Sequence, residues 1–475
     1  MKKILLIGAA TLIVSNSTFA GGILTNTNQH ASFLRMIARG ASIDIDGVYS
    51  NPAGLAFLPN DGFYFSLTGQ SAYQRRNISA TCPLFINSSN PTGERYYEGN
   101  AAAPIVPSFH FAYKKDKWTI SSTFAITGGG GKASFDEGLP MFDAAAIGLV
   151  SSLSQGLLTQ DMYTINTAME GRQFIYGLQL GLTYRINDCL SAFAGGRMNY
   201  FSGGYKGHLN INLQPGVGEQ IGAALTKQFM QAGLSQEQAV VAAQQKLQEM
   251  SGMMENSEIR LDCDQTGWGI TPIIGIDAKL GRLNLAAKYE FKTSMNIENK
   301  VNDIKYPAAA DAIMAPYKHG VNTPNDIPAL LMLAAGYEFL PTLRANVEWH
   351  FYDDKAAGMA SDKQKTLERG TYEYLAGVEW DATKQLTISG GYQRTDYGLS
   401  DQFQTDTSFY CDSYSLGFGA KVKLNPRLAL NVAYFWTTYD DYTVKTDNYK
   451  GLGIAGQDVY SRTNKVFGVS LDYHF

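Results

Sequence analysis

Six histidines are the first candidates for chemistry: His30, His110, His208, His319, His350 and His474. None sits in a metal spacing such as H-x-x-x-H, which puts two imidazoles on one helix face. His350 lies two residues from Glu348, so an extended chain shows both on one side. That is the polar face of a strand, not a base beside a nucleophile. A lone histidine as a haem ligand is the better rival. Ionisable residues form a second group. Lys288, Glu290, Lys292, Glu348, Glu373, Glu379 and Arg394 fall on the side that alternation makes inward. Most would pair with one another in a solvated lumen, and one or two basic residues, Lys288 and Arg394, would hold a carboxylate head group. No catalytic constellation stands out, and neither a cofactor nor a metal is expected.

The element that carries these residues is a strand. From Arg282 to Glu298 the odd positions are Leu283, Leu285, Ala287, Tyr289, Phe291, Thr293, Met295 and Ile297, while Asn284, Lys288, Glu290, Lys292, Asn296 and Glu298 stand at even positions. A helix would scatter such residues around its axis. At roughly 3.3 Å per residue the run crosses a membrane even when tilted. Stripes of the same period pass through Ala345, Val347, Trp349 and Phe351, through Tyr372, Tyr374, Val378 and Trp380, through Leu430, Val432, Tyr434 and Trp436, and through Phe467, Val469, Leu471, Tyr473 and Phe475.

The connections come in two kinds. Six are tight: Lys114 to Lys117, Asn187-Asp188, Gly281 with its neighbours, Pro341-Thr342, Ala382 to Lys384, and Asn425-Pro426. Seven are long, at 77–102, 128–170, 206–257, 299–326, 354–370, 398–408 and 440–461. Short and long alternate strictly, which predicts an all-β chain of about 14 strands closed into an antiparallel transmembrane barrel. Closure leaves no unpaired edge in lipid. Two long loops carry helical patterns. One contains Phe142, Leu153 and Leu157; the other contains Leu225 and Phe229. These apolar faces cap the barrel, and a cap of greasy helices leaves a groove in which a hydrophobic ligand lands.

Composition agrees. Tyr and Phe number 28 and 24, Gly 48 and Pro 15, with a net charge of −4. An aromatic- and glycine-rich chain without hydrophobic helices fits an outer-membrane barrel, and the acidic balance gives no sign of nucleic-acid binding. Residues 1–20 read as a signal peptide: Lys2 and Lys3, an apolar run from Ile4 to Val14, and small residues Thr18 and Ala20 at the cleavage positions. Four cysteines are too few for a disulfide scaffold. Cys189 sits in a tight turn, and one optional disulfide is open among Cys82, Cys263 and Cys411.

Residues 21–60 precede the first strand, and 61–475 make the barrel. The leading segment holds the apolar run Phe33 to Ile37, the acidic patch Asp44-Ile45-Asp46, and the turn Asn51-Pro52-Ala53-Gly54. A flexible leader needs neither apolar residues nor a defined turn; a plug folded inside a barrel needs both. Here the residues become familiar. Gly40-Ala41-Ser42, Asp44, Asp46 and Tyr49-Ser50-Asn51-Pro52-Ala53 resemble the N-terminal hatch of the FadL-type outer-membrane transporters of long-chain fatty acids and other hydrophobic compounds. Val106-Pro107-Ser108-Phe109-His110-Phe111 is similar to that family's second strand, Gly267-Trp268-Gly269 to its sixth, and Ala335-Gly336-Tyr337 to its eighth. The chain ends in Phe475, as such barrels do for delivery to the barrel-assembly machinery.

The resemblance implies a monomer in the outer membrane of a Gram-negative bacterium, in contact with its lipid. It further implies capture of a hydrophobic ligand at external loops, a lumenal pocket, and sideways exit through a kinked third strand. That kink would fall at Gly128-Gly129-Gly130-Gly131, where the rival reading is the start of a flexible loop. A receptor for haemin or another ligand is the alternative function, and a barrel enzyme the third.

Overall fold

The computed structural model describes residues 29–475 apart from 155–156, 256 and 309–310; the signal-peptide reading of 1–20 lies outside the described residues. The architecture is one closed antiparallel barrel of 14 strands. In chain order they are β1 (Gly62–Thr81), β2 (Glu94–Lys115), β3 (Trp118–Phe135), β4 (Tyr163–Arg185), β5 (Leu190–Leu213) and β6 (Ile259–Leu280). Next come β7 in two pieces (Leu283–Glu290 and Asn296–Lys305), β8 in two pieces (Asn322–Pro324 and Leu330–Leu340), β9 (Leu343–Tyr352), β10 (Thr371–Asp381) and β11 (Leu386–Asp396). The last are β12 (Ser413–Asn425), β13 in two pieces (Leu428–Tyr439 and Tyr442–Thr446) and β14 (Gly456–His474). Each strand pairs with its chain neighbours, and β1 pairs with β14 from Tyr64↔His474 to Thr81↔Gln457. Phe63 and Phe475 exchange main-chain hydrogen bonds of 2.8 and 3.0 Å at the seam.

The outer face is apolar where the sequence stripes are. Val347, Tyr374, Val378, Trp380, Phe467 and Leu471 point outward and are exposed, while Asn346, Glu348, Glu373, Glu379, Ser470 and Asp472 point inward and are buried. A surface of this kind is stable against lipid and unstable against water.

Three sequence expectations are corrected. The 17-residue alternation of β7 does not run through. Ile273 pairs with Glu290 and Gly267 with Ile297, so β7 uses seven residues where β6 uses six. The extra residue is a bulge at Phe291-Lys292, and it swaps the faces. Thr293, Met295 and Ile297 therefore point inward and are buried, and Lys292 is exposed beside Asp326. Arg394 also points outward, pairing with Asp440 at 2.9 Å, because Gln393 and Thr395 take the inward positions of β11. Finally, the strands run well beyond the expected loop boundaries: β3 continues to Phe135 and β4 begins at Tyr163. Past the lipid belt, their outer faces carry pairs such as Lys132–Glu170, Arg172–Asp264 and Arg260–Asp303. No greasy stripe marks them because water, not lipid, lies outside.

Inside, the core has layers. The described part of the N-terminal segment fills the lower lumen. Helix α1 (Ala31–Met36) packs Phe33, Leu34 and Ile37 against Leu375, Phe435 and Val466. Helix α2 (Gly47–Ser50) and the 3-10 turn Pro52–Phe57 pack Val48 and Leu55 near Tyr64 and Ala112. A second, external core gathers α3 (Pro140–Ser154), α4 (Val217–Gln231) and α5 (Gln236–Glu255) with the long strand ends. The helical pattern in the 206–257 connection splits into two helices at Gly233, whose φ of 96° ends α4. The four cysteines are free, with Cys82, Cys263 and Cys411 buried as thiols.

Candidate functional site

The plug is held to the inner wall by polar contacts that its sequence supplies in order. His30 caps α1 through Nδ1, accepting from the Ser32 N–H at 3.0 Å, and its Nε2 lies 2.8 Å from Ser66 and 3.1 Å from Asp472. Arg35, wholly buried, reaches Glu379, Ser389 and Asn431. Arg39 binds Asp46 at 2.6 Å, Gly40 N–H donates to Glu348 at 2.7 Å, and Lys421 binds Asp44 at 2.5 Å. Charge-assisted pairs of this kind are tolerated in a buried lumen because each charge has its partner.

The Asn-Pro-Ala turn sits against β4 to β7. Asn51 Nδ2 donates to Asp277 at 2.5 Å while its Oδ1 accepts from Gly54 N–H at 3.3 Å. Thr183 donates to the Pro52 carbonyl at 2.8 Å and Ser191 to the Ala53 carbonyl at 2.7 Å. The Ala53 methyl packs with Phe193 and Ile273. Lys288 is beside this turn, donating to the Tyr49 carbonyl at 2.9 Å and pairing with Glu290 at 2.8 Å.

One stretch of wall is incomplete. Between β2 and β3 the ladder runs up to Phe109↔Phe124 and resumes at Ala102↔Lys132. Residues 103–108 and 125–131 have no ladder pairs with each other, while each stretch keeps pairs with its other neighbour, β1 or β4. The cause is local. Pro104 and Pro107 have no N–H to donate. Across from them lie Gly128–Gly131, with φ of 94° at Gly129 and 83° at Gly131, a backbone that other residues adopt at a cost. The register of β3 on β4 slips twice here, at Ile126/Gly128 and at Gly128/Gly131. The glycines lie inside β3, not in a loop. Behind the gap stands Gln29. Its Nε2 donates to the Ile126 carbonyl at 2.9 Å, and its own carbonyl accepts from Ser108 and faces His110 Nε2 at 3.3 Å.

At the external end a small, partly open apolar recess is lined by Phe142 of α3, Met169, Tyr205, His208, Leu261 and Tyr317, among others. Helix α3 is held above it by Asp143, which accepts from Arg95 at 2.6 Å and from Tyr97 at 2.7 Å; burial raises the Asp143 carboxyl above the ordinary range despite Arg95. Of the expected ligand residues whose side chains are described, Phe142 alone lines this recess. Leu225 is buried within the external core, and Leu157 and Phe229 pack on its edge. The Leu153 side chain lies outside the described residues. Lys288 sits deep beside the plug and Arg394 outside the wall, so these residues do not converge.

Two buried histidines, His350 and His30, are spoken for. His350 lies between Glu348 at 2.5 Å and Glu373 at 2.8 Å, one carboxylate on each ring nitrogen, so neither nitrogen faces a substrate. His30 meets Ser66 and Asp472 through the same Nε2, whereas a proton relay needs serine and aspartate on opposite nitrogens. Among the described residues no group of His, Cys, Asp and Glu is placed to hold a metal.

No protein-family model matches the chain, and no curated protein matches it in sequence. Solved structures do match in fold. A Pseudomonas aeruginosa FadL homologue superposes with a TM-score of 0.64 at 16% identity, covering 96% of this chain and 100% of that one. The Pseudomonas putida toluene transporter TodX gives 0.51 at 16% identity, over 91% of this chain and 94% of that one. The Ralstonia pickettii toluene transporter TbuX gives 0.52 at 14% identity, over 95% and 99%. The strand number, the closed barrel and these likenesses agree with the resemblance in the N-terminal residues: the chain has the fold of the FadL-type outer-membrane channels.

Proposed function

We propose that this protein is an outer-membrane channel, not an enzyme, for uptake of hydrophobic compounds, long-chain fatty acids foremost. A ligand leaves water at the external recess under α3, passes down the lumen, and exits sideways between β2 and β3 into the bilayer. The observation that carries this reading is the missing β2–β3 ladder between 103–108 and 125–131, backed by Gln29. A broken ladder in a membrane-spanning wall is costly unless its polar groups find other partners; here prolines and glycines maintain the break, and Ser71 and Gln29 bond the Pro104 and Ile126 carbonyls. Lateral exit also suits the cargo, since each CH₂ kept out of water is worth about 0.8 kcal/mol. The toluene transporters of the same fold support a hydrophobic cargo. The charges packed around the plug, Arg35, Arg39, Arg197, Lys288 and Lys421, already have partners, which supports a plug that is seated, not a water-filled pore.

Cysteines introduced at Gln29 and Ser108, in a background with Cys189→Ser, test the route. Forming the disulfide should stop uptake of radiolabelled hexadecanoate by cells while leaving binding to the purified protein intact. Uptake that continues with the crosslink formed rejects the sideways exit. A second reading, a receptor for a flat aromatic ligand such as haemin, rests on Tyr205, His208 and Tyr317 lining the external recess. A haemin absorbance shift that is lost in His208→Ala would replace the first reading.

A further inference from the structure

Inward-facing cations of the barrel and plug come with carboxylates: Arg35 with Glu379, Arg39 with Asp46, Arg197 with Glu290, Lys288 with Glu290 and Lys421 with Asp44. Three do not follow this pattern. Arg76 of β1 and Arg462 of β14 stand directly opposite each other in the seam register, an arrangement that like charges disfavour. Lys363, from the external segment between β9 and β10, comes close enough to Arg76 that burial and then this neighbour push its ammonium down to about 7. Among the described residues none of the three has an ion-pair partner. Arg76 donates to the Phe409 carbonyl at 3.3 Å, Arg462 to Gln74 at 3.5 Å, and Lys363 to the Ser408 carbonyl at 3.2 Å. The nearby Asp354 carboxyl instead accepts the Thr371 N–H at 2.9 Å. Arg76 Nε is buried with no partner at all.

The surroundings are aromatic. Arg76 lies 4.8 Å from the Phe409 ring centre, Lys363 4.6 Å from that of Phe403, and Arg462 4.9 Å from that of Tyr439. Just above, Phe409 and Tyr460 belong to the external apolar core; just below, Val466 belongs to the core around α1. The cluster thus lies on the way from the mouth to the plug. Desolvated cations without a counter-charge are costly to keep, and they interact most strongly with a ligand that brings the charge itself.

We propose that Arg76, Arg462 and Lys363 form an anion site that binds the carboxylate of an amphiphilic ligand, its hydrocarbon tail lying along Phe403 and Phe409, so that this channel selects hydrophobic acids over neutral hydrocarbons. The inference rests on the uptake reading above and narrows its cargo. The head group must be presented as an anion at the tip of an apolar chain, because the cations meet the lumen within an aromatic wall.

The test is equilibrium binding of radiolabelled hexadecanoate and of hexadecan-1-ol to the purified full chain in a non-ionic detergent. It compares the natural protein with the pairs Arg76→Gln/Arg462→Gln and Arg76→Lys/Arg462→Lys, each first shown by heat-modifiable gel mobility to be a folded barrel. The Gln pair should lose about ten- to hundredfold in hexadecanoate affinity, the worth of a charge-assisted hydrogen bond or two, and keep its affinity for the alcohol. The Lys pair should retain most of the hexadecanoate binding. Equal affinity of the natural protein for acid and alcohol, unchanged in the Gln pair, overturns the anion site and leaves the uptake reading standing. Failure of the natural protein to bind either ligand sinks both. Full displacement of hexadecanoate by equimolar inorganic phosphate overturns the assignment to an amphiphile.

Discussion

Gln29 donates from its side-chain amide to the main-chain carbonyl of Ile126, 97 residues later in the chain, at 2.9 Å. The same glutamine offers its carbonyl to Ser108 on the opposite lip of the gap. One plug residue thus holds both sides of the incomplete wall. Replacing Ser108 with Ala removes one of these contacts, worth about 0.5–1.5 kcal/mol. The expected outcome is faster uptake of hexadecanoate with an unchanged melting temperature of the barrel. Slower or unaltered uptake would show that the contact is not a latch.

Asn51 and Asp277 make the equivalent contact at the lower end of the plug. Asn51→Ala leaves Asp277 with Asn284 as its remaining side-chain partner, at 3.0 Å, and its other oxygen is already without one. Losing one of two hydrogen bonds to this buried carboxyl oxygen costs about 0.5–1.5 kcal/mol. Hydrogen exchange should accelerate over residues 47–57 and stay constant in the strands. Equal protection in the variant would make the turn incidental.

Helix α1 rests on glycines. A Cβ at Gly391 would stand 2.1 Å from the Met36 carbonyl oxygen, and one at Gly377 2.0 Å from it. The helix cannot back away easily, because Ile37 behind it already has φ 66° and ψ −63° with Ala38 N–H bonded to the Met36 carbonyl. That is a γ-turn of the strained hand, costing on the order of 1–3 kcal/mol for a branched residue. Gly391→Ala should therefore unseat the plug. Single-channel recordings in planar bilayers should then show ion conductance that the natural protein lacks. A closed Gly391→Ala channel contradicts the tight seating.

The external recess separates ligand contact from lid packing. Phe142→Ser removes an apolar wall of the recess and should weaken hexadecanoate binding by about tenfold, since burying such a side chain against ligand is worth about 1.5–3 kcal/mol. Leu225→Ala, inside the external core, should instead loosen α4, seen as faster proteolysis there, with affinity kept. Reversal of the two phenotypes would move the ligand from the recess to the α4 surface.

Alternation of period two, six tight turns and seven long connections determined the barrel, its strand number and the sense of its outer face, because in lipid every strand must hide its backbone and show one apolar side. The segment Gly40 to Ala53 likewise carried its resemblance in residue order alone. The tertiary structure decided what depends on partners far along the chain. A one-residue bulge at Phe291-Lys292 reversed the face of Met295 and Ile297, and no local signal separates such a bulge from continued alternation. Arg394 turned outward because its neighbours in β11 took the lumen, and the strand ends of β3 to β6 were invisible because they emerge from lipid with charged outer faces. The free cations Arg76, Arg462 and Lys363 were not among the residues singled out in the sequence. Arginine at 76 and arginine at 462 become opposites only when the first and last strands close the barrel, and a lysine at 363 joins them only when its loop folds over the mouth.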